Sequence, residues 1–167
     1  IEEELELLRI AICEDRMEDA FLLRKALETV QQQLDFEASV ELFQRGEDLL
    51  IAIQTGQLYH LLLMDIFMDQ LDGIQTAKRA KEILPSLQVA FLSSSREFAP
   101  EAFELNAIHY LIKPVETDRL RELFERFFER IKIPVKTVEI KTESKTYSFP
   151  LHHIQKIQSR NKGIEVY

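Results

Sequence analysis

Short apolar, strand-like runs recur along the chain at residues 7–13, 36–43, 58–64, 87–92 and 108–112. The first, third and fourth are close to continuously hydrophobic, the pattern of strands covered on both faces. Between them the period lengthens to that of a helix. Leu23, Ala26, Leu27, Val30 and Leu34 fall at i, i+3, i+4, i+7 and i+11, and Leu120, Leu123, Phe124, Phe127 and Ile131 repeat that spacing. A shorter stripe, Ile74, Ala77, Ala80 and Leu84, is closed by Pro85, which cannot continue a helix. Strand and helix alternating five times predict a parallel sheet with right-handed crossovers, an open doubly wound α/β domain. Ligands of such sheets bind beyond the carboxyl ends of the strands.

From about Val138 the period drops to two. Val138 and Ile140, Tyr147, Phe149 and Leu151, and Ile164 and Val166 alternate with polar residues around the turn-like stretches "TESK" and "SRNKG". This predicts a short antiparallel β segment. The predicted organisation is an extension at 1–6, an α/β domain at 7–131, a linker at 132–137 marked by Ile133-Pro134, and a partial second domain at 138–167.

Charge follows the same division. Residues 132–167 hold seven basic and three acidic side chains, a formal +4, so residues 1–131 carry −12 of the total −8. An acidic body does not read as a nucleic-acid binder, whereas the basic tail could be the start of one. The one cysteine, Cys13, lies in an apolar run and reads as a small buried hydrophobe in a reducing compartment. No apolar run approaches the ~18 residues of a membrane helix. The acidic start lacks the pattern of a secretory signal, and a cytoplasmic location is expected.

The chemistry gathers at the strand ends. The first strand ends in Glu14-Asp15, the third in Asp65, the fourth in Ser93-Ser94 and the fifth in Lys113-Pro114. Three carboxylates on one sheet edge would raise one another's pKa unless a cation sits among them. A hard divalent ion such as Mg2+ fits oxygen ligands of this kind, and with Lys113 it brings the formal charge to zero. That is the chemistry of a carboxylate that receives a phosphoryl group, with charge neutralisation and positioning supplying the catalysis. Each residue also has a plainer reading. Asp15-x-x-Glu18 and Ser94-x-x-Glu97 have the form of helix-capping boxes, Asp65 could be a strand-end turn residue, and Asp72-Gly73 reads as a turn and helix start. The convergence of all these groups on carboxyl ends favours the chemical reading.

Over residues 7–131 the sequence resembles the receiver domain of two-component response regulators, through "ICEDR", "LLLMDIFMDQLDG", "VAFLSSSREFA" and "EAFELNAIHYLIKP". The resemblance implies a five-stranded, flavodoxin-like fold in which Asp65 accepts a phosphoryl group from a sensor histidine kinase. It implies Mg2+ bound by Glu14, Asp15, Asp65 and the backbone carbonyl of Phe67. Ser93 and Lys113 would bind the phosphoryl oxygens, Ser94 would leave room for them, and Tyr110 would turn inward behind Ser93. Pro114 would follow a cis peptide bond, a geometry largely confined to proline. The chain departs from the family pattern with Glu14 and Ser93 in place of the usual Asp and Thr. Asp69 stands where proline is usual. Pro100 sits near the start of the fourth helix, which is expected to begin around Ala99, since proline suits only a first turn.

The tail, with "FPLHHIQKIQS" and Asn161, resembles the opening third of a LytTR-type DNA-binding domain. Its DNA-reading residues are not assignable here, and His152-His153 reads as a surface pair. The implied whole is a transcriptional regulator switched by phosphorylation, with dimerisation through the fourth helix, fifth strand and fifth helix. The alternative is an interaction module on the same fold that works without phosphorylation. A turnover enzyme is not expected: haloacid-dehalogenase-type phosphatases need an acid two residues after the aspartate, where this chain has Phe67, and four glycines supply no phosphate-cradling loop.

Overall fold

The structure, a computed structural model, describes residues 7–68, 72–131, 137–142, 144–150, 157–160 and 163–166. By their internal contacts the residues form two units, 1–127 and 128–167.

Five strands, β1 (Leu8–Cys13), β2 (Ala38–Phe43), β3 (Leu61–Asp65), β4 (Gln88–Ser93) and β5 (His109–Ile112), form one parallel sheet in the order β2-β1-β3-β4-β5. The helices are α1 (Met17–Leu34), α2 (Gly46–Gln54), α3 (Gly73–Ile83), α4 (Ala99–Glu104) and α5 (Thr117–Ile131). This is the flavodoxin-like order, and the chain reverses its direction of travel across the sheet between β1 and β3, where such folds open a crevice. The central strand β3 is buried at every residue, and β1 and β4 nearly so, which explains their unbroken apolar runs. β2, at the edge, alternates half-buried and exposed side chains instead, with only Phe43 fully buried.

The helical stripes bury as their spacing requires. Leu23, Leu27 and Val30 of α1, Ile74, Ala77 and Ala80 of α3, and Leu120, Leu123, Phe124 and Phe127 of α5 all face the core. α4 begins at Ala99 with Pro100 in its first turn, as expected. α2 has no stripe of its own in the sequence pattern. It is nine residues long, and its run of Leu49, Leu50, Ile51, Ala52 and Ile53 is apolar all round, which erases the period.

Beyond α5, β6 (Thr137–Lys141) pairs antiparallel with β7 (Thr146–Pro150), and β8 (Ile157–Arg160) pairs antiparallel with β9 (Gly163–Val166). The short antiparallel segment is therefore present, with one correction. Ser159 and Arg160, expected in the "SRNKG" turn, are strand residues whose partners are Ile164 and Gly163. Leu151, His152, His153, Asn161 and the linker residues Ile133 and Pro134 lie outside the described residues, as does Asp69.

Candidate phosphoacceptor site at the carboxyl edge of the sheet

Parallel pairing sets the strand ends side by side. Cys13 pairs with Met64, Asp65 with Leu92, and Ser93 with Ile112. The ladder continues one residue past each end through backbone hydrogen bonds. Glu14 N–H donates to Phe43 O (2.9 Å), Ile66 N–H to Leu92 O (3.0 Å) and Lys113 N–H to Ser93 O (2.9 Å). Residues that are far apart in sequence are thus held on adjacent rigid backbones, not on mobile loops.

Glu14, Asp15 and Asp65 offer carboxylate oxygens that all lie within 4.8 Å of one another. Lys113 joins them. Its Nζ lies 2.5 Å from Glu14 Oε2, 3.2 Å from Asp65 Oδ2 and 3.2 Å from Asp19 Oδ2. Asp65 Oδ1 accepts a hydrogen bond from Phe67 N–H (3.1 Å), and Glu14 Oε1 accepts one from Arg16 N–H (3.0 Å). Glu14 and Asp65 are buried and Asp15 half-buried.

One ammonium does not balance this much negative charge, and the neighbouring groups register the surplus. Burial pushes the Glu14 carboxyl up to about 7, against the lowering influence of its hydrogen bonds from Lys113 and Arg16 N–H. The buried Cys13 thiol is pushed up to about 12, first by burial and then by Asp65, Glu14 and Asp15. Burial works against the charge of Lys113, yet its bond to Glu14 and the field of Asp65 outweigh it and raise its pKa. Asp15 Oδ1 is buried and has no hydrogen-bond partner among the described residues. An orphaned carboxylate oxygen facing two other carboxylates is what a hard cation would satisfy, so the residues present fit Mg2+.

The hydroxyl residues lie beside this cluster. Ser93 is buried, its Oγ accepting from Ser95 N–H (3.1 Å), whereas Ser94 is exposed. Tyr110 is half-buried, and its Oη donates to the Ser95 carbonyl (2.5 Å). β5 is thereby tied to the loop that leads into α4. Across the mouth of the site, the half-exposed Phe67 packs edge-to-face on Phe98, with ring centroids 5.1 Å apart. The peptide bond between Lys113 and Pro114 is cis.

The plainer readings divide. Asp15 is not the cap of α1: the helix starts after Arg16, whose side chain makes no capping hydrogen bond. Ser94 does not cap α4, which is preceded by Phe98. Asp72 does cap, accepting from Ile74 N–H (2.9 Å), and Gly73 opens α3. Gly73 sits so close beneath the site that a Cβ there would lie 2.0 Å from the carbonyl oxygen of Asp65. Asp19 is the residue that sequence reasoning missed. Its reach to Lys113 depends on how α1 lies against the end of β5, which no local pattern encodes.

Residues 10–125 match the family described as the response regulator receiver domain. The transcriptional regulatory protein ZraR of Salmonella typhimurium is 37% identical over 90 residues, 53% of this chain and 20% of that protein. The positive alginate biosynthesis regulatory protein of Pseudomonas aeruginosa is 32% identical over 151 residues, 90% of this chain and 59% of that protein. The chain thus spans less than two thirds of either relative. Among solved structures, the response regulator DrrB of Thermotoga maritima superposes with a TM-score of 0.59 at 26% identity, over 85% of this chain and 60% of that one. The BeF3-activated DrrB receiver domain does so with a TM-score of 0.59 at 27% identity, over 74% and 99%.

Proposed function

This chain belongs to the response regulator receiver domain family, and on that premise we propose that it is the phosphorylation switch of a transcriptional regulator. The observation that carries the reading is the meeting of Lys113 Nζ with Asp65 Oδ2 at 3.2 Å, inside the cluster formed with Glu14 and Asp15. A carboxylate oxygen of Asp65 attacks the phosphorus of a kinase's phosphohistidine. The P–N bond breaks, its electron pair returns to the imidazole, and an acyl phosphate forms on Asp65.

Glu14, Asp15, Asp65 and the backbone carbonyl of Phe67 would hold Mg2+, which supplies charge neutralisation on the transferring oxygens. Lys113 contributes a fixed ammonium to the same oxygens, and Ser93 a buried hydroxyl at the end of the neighbouring strand. The phosphoryl group adds roughly −1.5 to −2 charge units and new acceptor oxygens to this edge. Ser93, Ser95 and Tyr110 then form the connection to α4 and β5, since Ser95 N–H is held by Ser93 and its carbonyl by Tyr110. Dimerisation through α4, β5 and α5 is the proposed response. The chain acts as a signalling phosphoacceptor rather than a turnover enzyme, a reading supported by Phe67 standing where a phosphatase of the dehalogenase type needs its second acid.

The tail is proposed to begin a LytTR-type DNA-binding domain. Support comes from its two antiparallel strand pairs and from the alginate regulator, whose 151-residue match is too long to fit within residues 1–131. The full regulator would bind DNA and act in the cytoplasm. Among the described residues, no helix is long and apolar enough to cross a membrane.

Incubation with a small phosphodonor and Mg2+, followed by intact mass measurement, tests the reading. One phosphoryl adduct that is absent in Asp65→Asn is expected; an adduct that persists in Asp65→Asn overturns it. Sedimentation with a phosphoryl mimic tests dimerisation, and an unchanged monomer would count against that step.

A further inference from the structure

The ammonium of Lys113 has three N–H donors, and three carboxylates surround it: Glu14, Asp65 and Asp19. Glu14 and Asp65 belong to the set that fits a metal ion, and Asp65 is the proposed phosphoacceptor. Asp19 belongs to neither. It lies in the first turn of α1, half-buried, with Arg16 Nε 3.9 Å away on the solvent side. We infer that Asp19 is a positioning residue that anchors Lys113 toward Asp65 through phosphoryl transfer. The inference rests on the phosphoacceptor reading above.

The need for such an anchor follows from the surroundings of the lysine. Glu14, Asp19 and Lys113 border an open cavity of about 330 Å3, bounded further by Leu22 and Lys25 of α1 and by Thr117 of α5. A lysine side chain carries about 2 kcal/mol of rotamer freedom, and here there is room to use it. Phosphorylation converts Asp65 from a carboxylate to an acyl phosphate. Glu14 is also a candidate ligand for the ion. Of the three acceptors, only Asp19 is neither a candidate ligand of the ion nor the proposed phosphoacceptor. An ammonium held by Asp19 stays at the mouth of the site, where the transferring oxygens arrive. Without that hold it can turn into the cavity toward solvent.

The anchor has an electrostatic cost. Asp19 adds a fourth negative charge beside the phosphodonor's approach, so its removal could instead speed transfer by lessening repulsion. Positioning outweighs repulsion here for two reasons. Asp19 reaches solvent and is paired with Arg16, which screens its charge, and its hydrogen bond to Lys113 is direct at 3.2 Å.

Two measurements on the full chain decide the matter. In the first, the rate of adduct formation with a small phosphodonor at saturating Mg2+ is followed by intact mass. Asp19→Asn should slow it about three- to tenfold, the worth of one partly exposed charge-assisted hydrogen bond. Asp19→Glu should recover part of the loss, and in a Lys113→Met background Asp19→Asn should change nothing further. In the second, the metal-free chain labelled with 15N on lysine side chains is observed by NMR. A hydrogen-bonded ammonium signal for Lys113 should be present in the wild type, weakened in Asp19→Asn and kept in Asp19→Glu.

An unchanged or faster rate in Asp19→Asn, or an equal loss in the Lys113→Met background, overturns the inference. So does a Lys113 signal indifferent to position 19. If the wild type itself forms no adduct, the phosphoacceptor reading fails instead, and the NMR result still decides whether Asp19 holds the lysine.

Discussion

Replacing Gly73 by alanine would push a methyl group into the backbone of the proposed phosphoacceptor. The added Cβ would stand 2.0 Å from Asp65 O, 2.8 Å from Ile66 Cα and 2.9 Å from Asp65 C. All three are backbone atoms, so no rotamer change relieves the overlap. Carbon needs 3.0 Å or more here, so α3 and the end of β3 must separate by about 1 Å. That separation stretches the hydrogen bond from Gly73 N–H to Ile66 O, now 3.0 Å, and unseats Ile74, Thr76 and Ala77, which are buried in the first turns of α3. Overpacking of this kind costs about 1–3 kcal/mol, and the strained hydrogen bond about 1 more, so a loss of about 3 kcal/mol is expected. For a domain of this size that lowers Tm by roughly 10 °C. A reacting carboxylate displaced by about 1 Å should also lose on the order of 100-fold in transfer rate. Urea denaturation and adduct formation by intact mass read the two effects together. A variant within about 0.5 kcal/mol of wild type that phosphorylates at the normal rate would show the close approach to be unimportant.

Gly56 provides the contrast: its φ is +101° and none of the described residues lies within 4 Å of an added Cβ, so Gly56→Ala should cost only about 1 kcal/mol through backbone strain and leave phosphorylation unchanged. Asp15→Asn removes a repelling charge whose Oδ1 is orphaned. The metal-free Tm should therefore rise, while the stabilisation of wild type by Mg2+, about 1.4 kcal/mol at ten times Kd, should vanish; calorimetry with and without EDTA reads both. His109 is held below its ordinary 6.5 by burial and then by Arg126 and Arg119, with Glu122, 3.8 Å from its Nε2, opposing. As pH falls below about 6.5 the unfolded chain takes up a proton that folded His109 refuses, so stability is full above that pH and declines below it. His109→Gln should flatten that part of the stability–pH curve between pH 7 and 5, measured by urea midpoints. Tyr110→Phe deletes the bond to the Ser95 carbonyl and should cost about 1 kcal/mol in urea denaturation, with adduct formation retained.

Sequence by itself determined the sheet. Strands buried on both faces must be apolar throughout, and helices lying on a sheet must repeat their apolar residues at three and four, so both periods are written locally and were legible. The strand order β2-β1-β3-β4-β5 was not written in those periods, because right-handed crossovers narrow the topologies to a few without choosing among them. The site was legible to the same extent. In a parallel sheet every strand ends on one edge, so Glu14, Asp15, Asp65, Ser93 and Lys113 were placed on a common edge once the strands were known, and the strand order brought them within reach of one another. What depended on packing between elements was not legible. Asp19 reaches Lys113 only because α1 lies against the end of β5, and Gly73 is compelled by the Asp65 carbonyl rather than by its turn. His109 Nε2 comes to lie 3.8 Å from Glu122 of α5, and packing alone decides that Leu49, Leu50 and Ile53 of the apolar run in α2 are buried while Ile51 is exposed. Period is a property of the chain; strand order and the distance between side chains on different elements are properties of the packed whole, which alone decides which charges end up sharing a lysine.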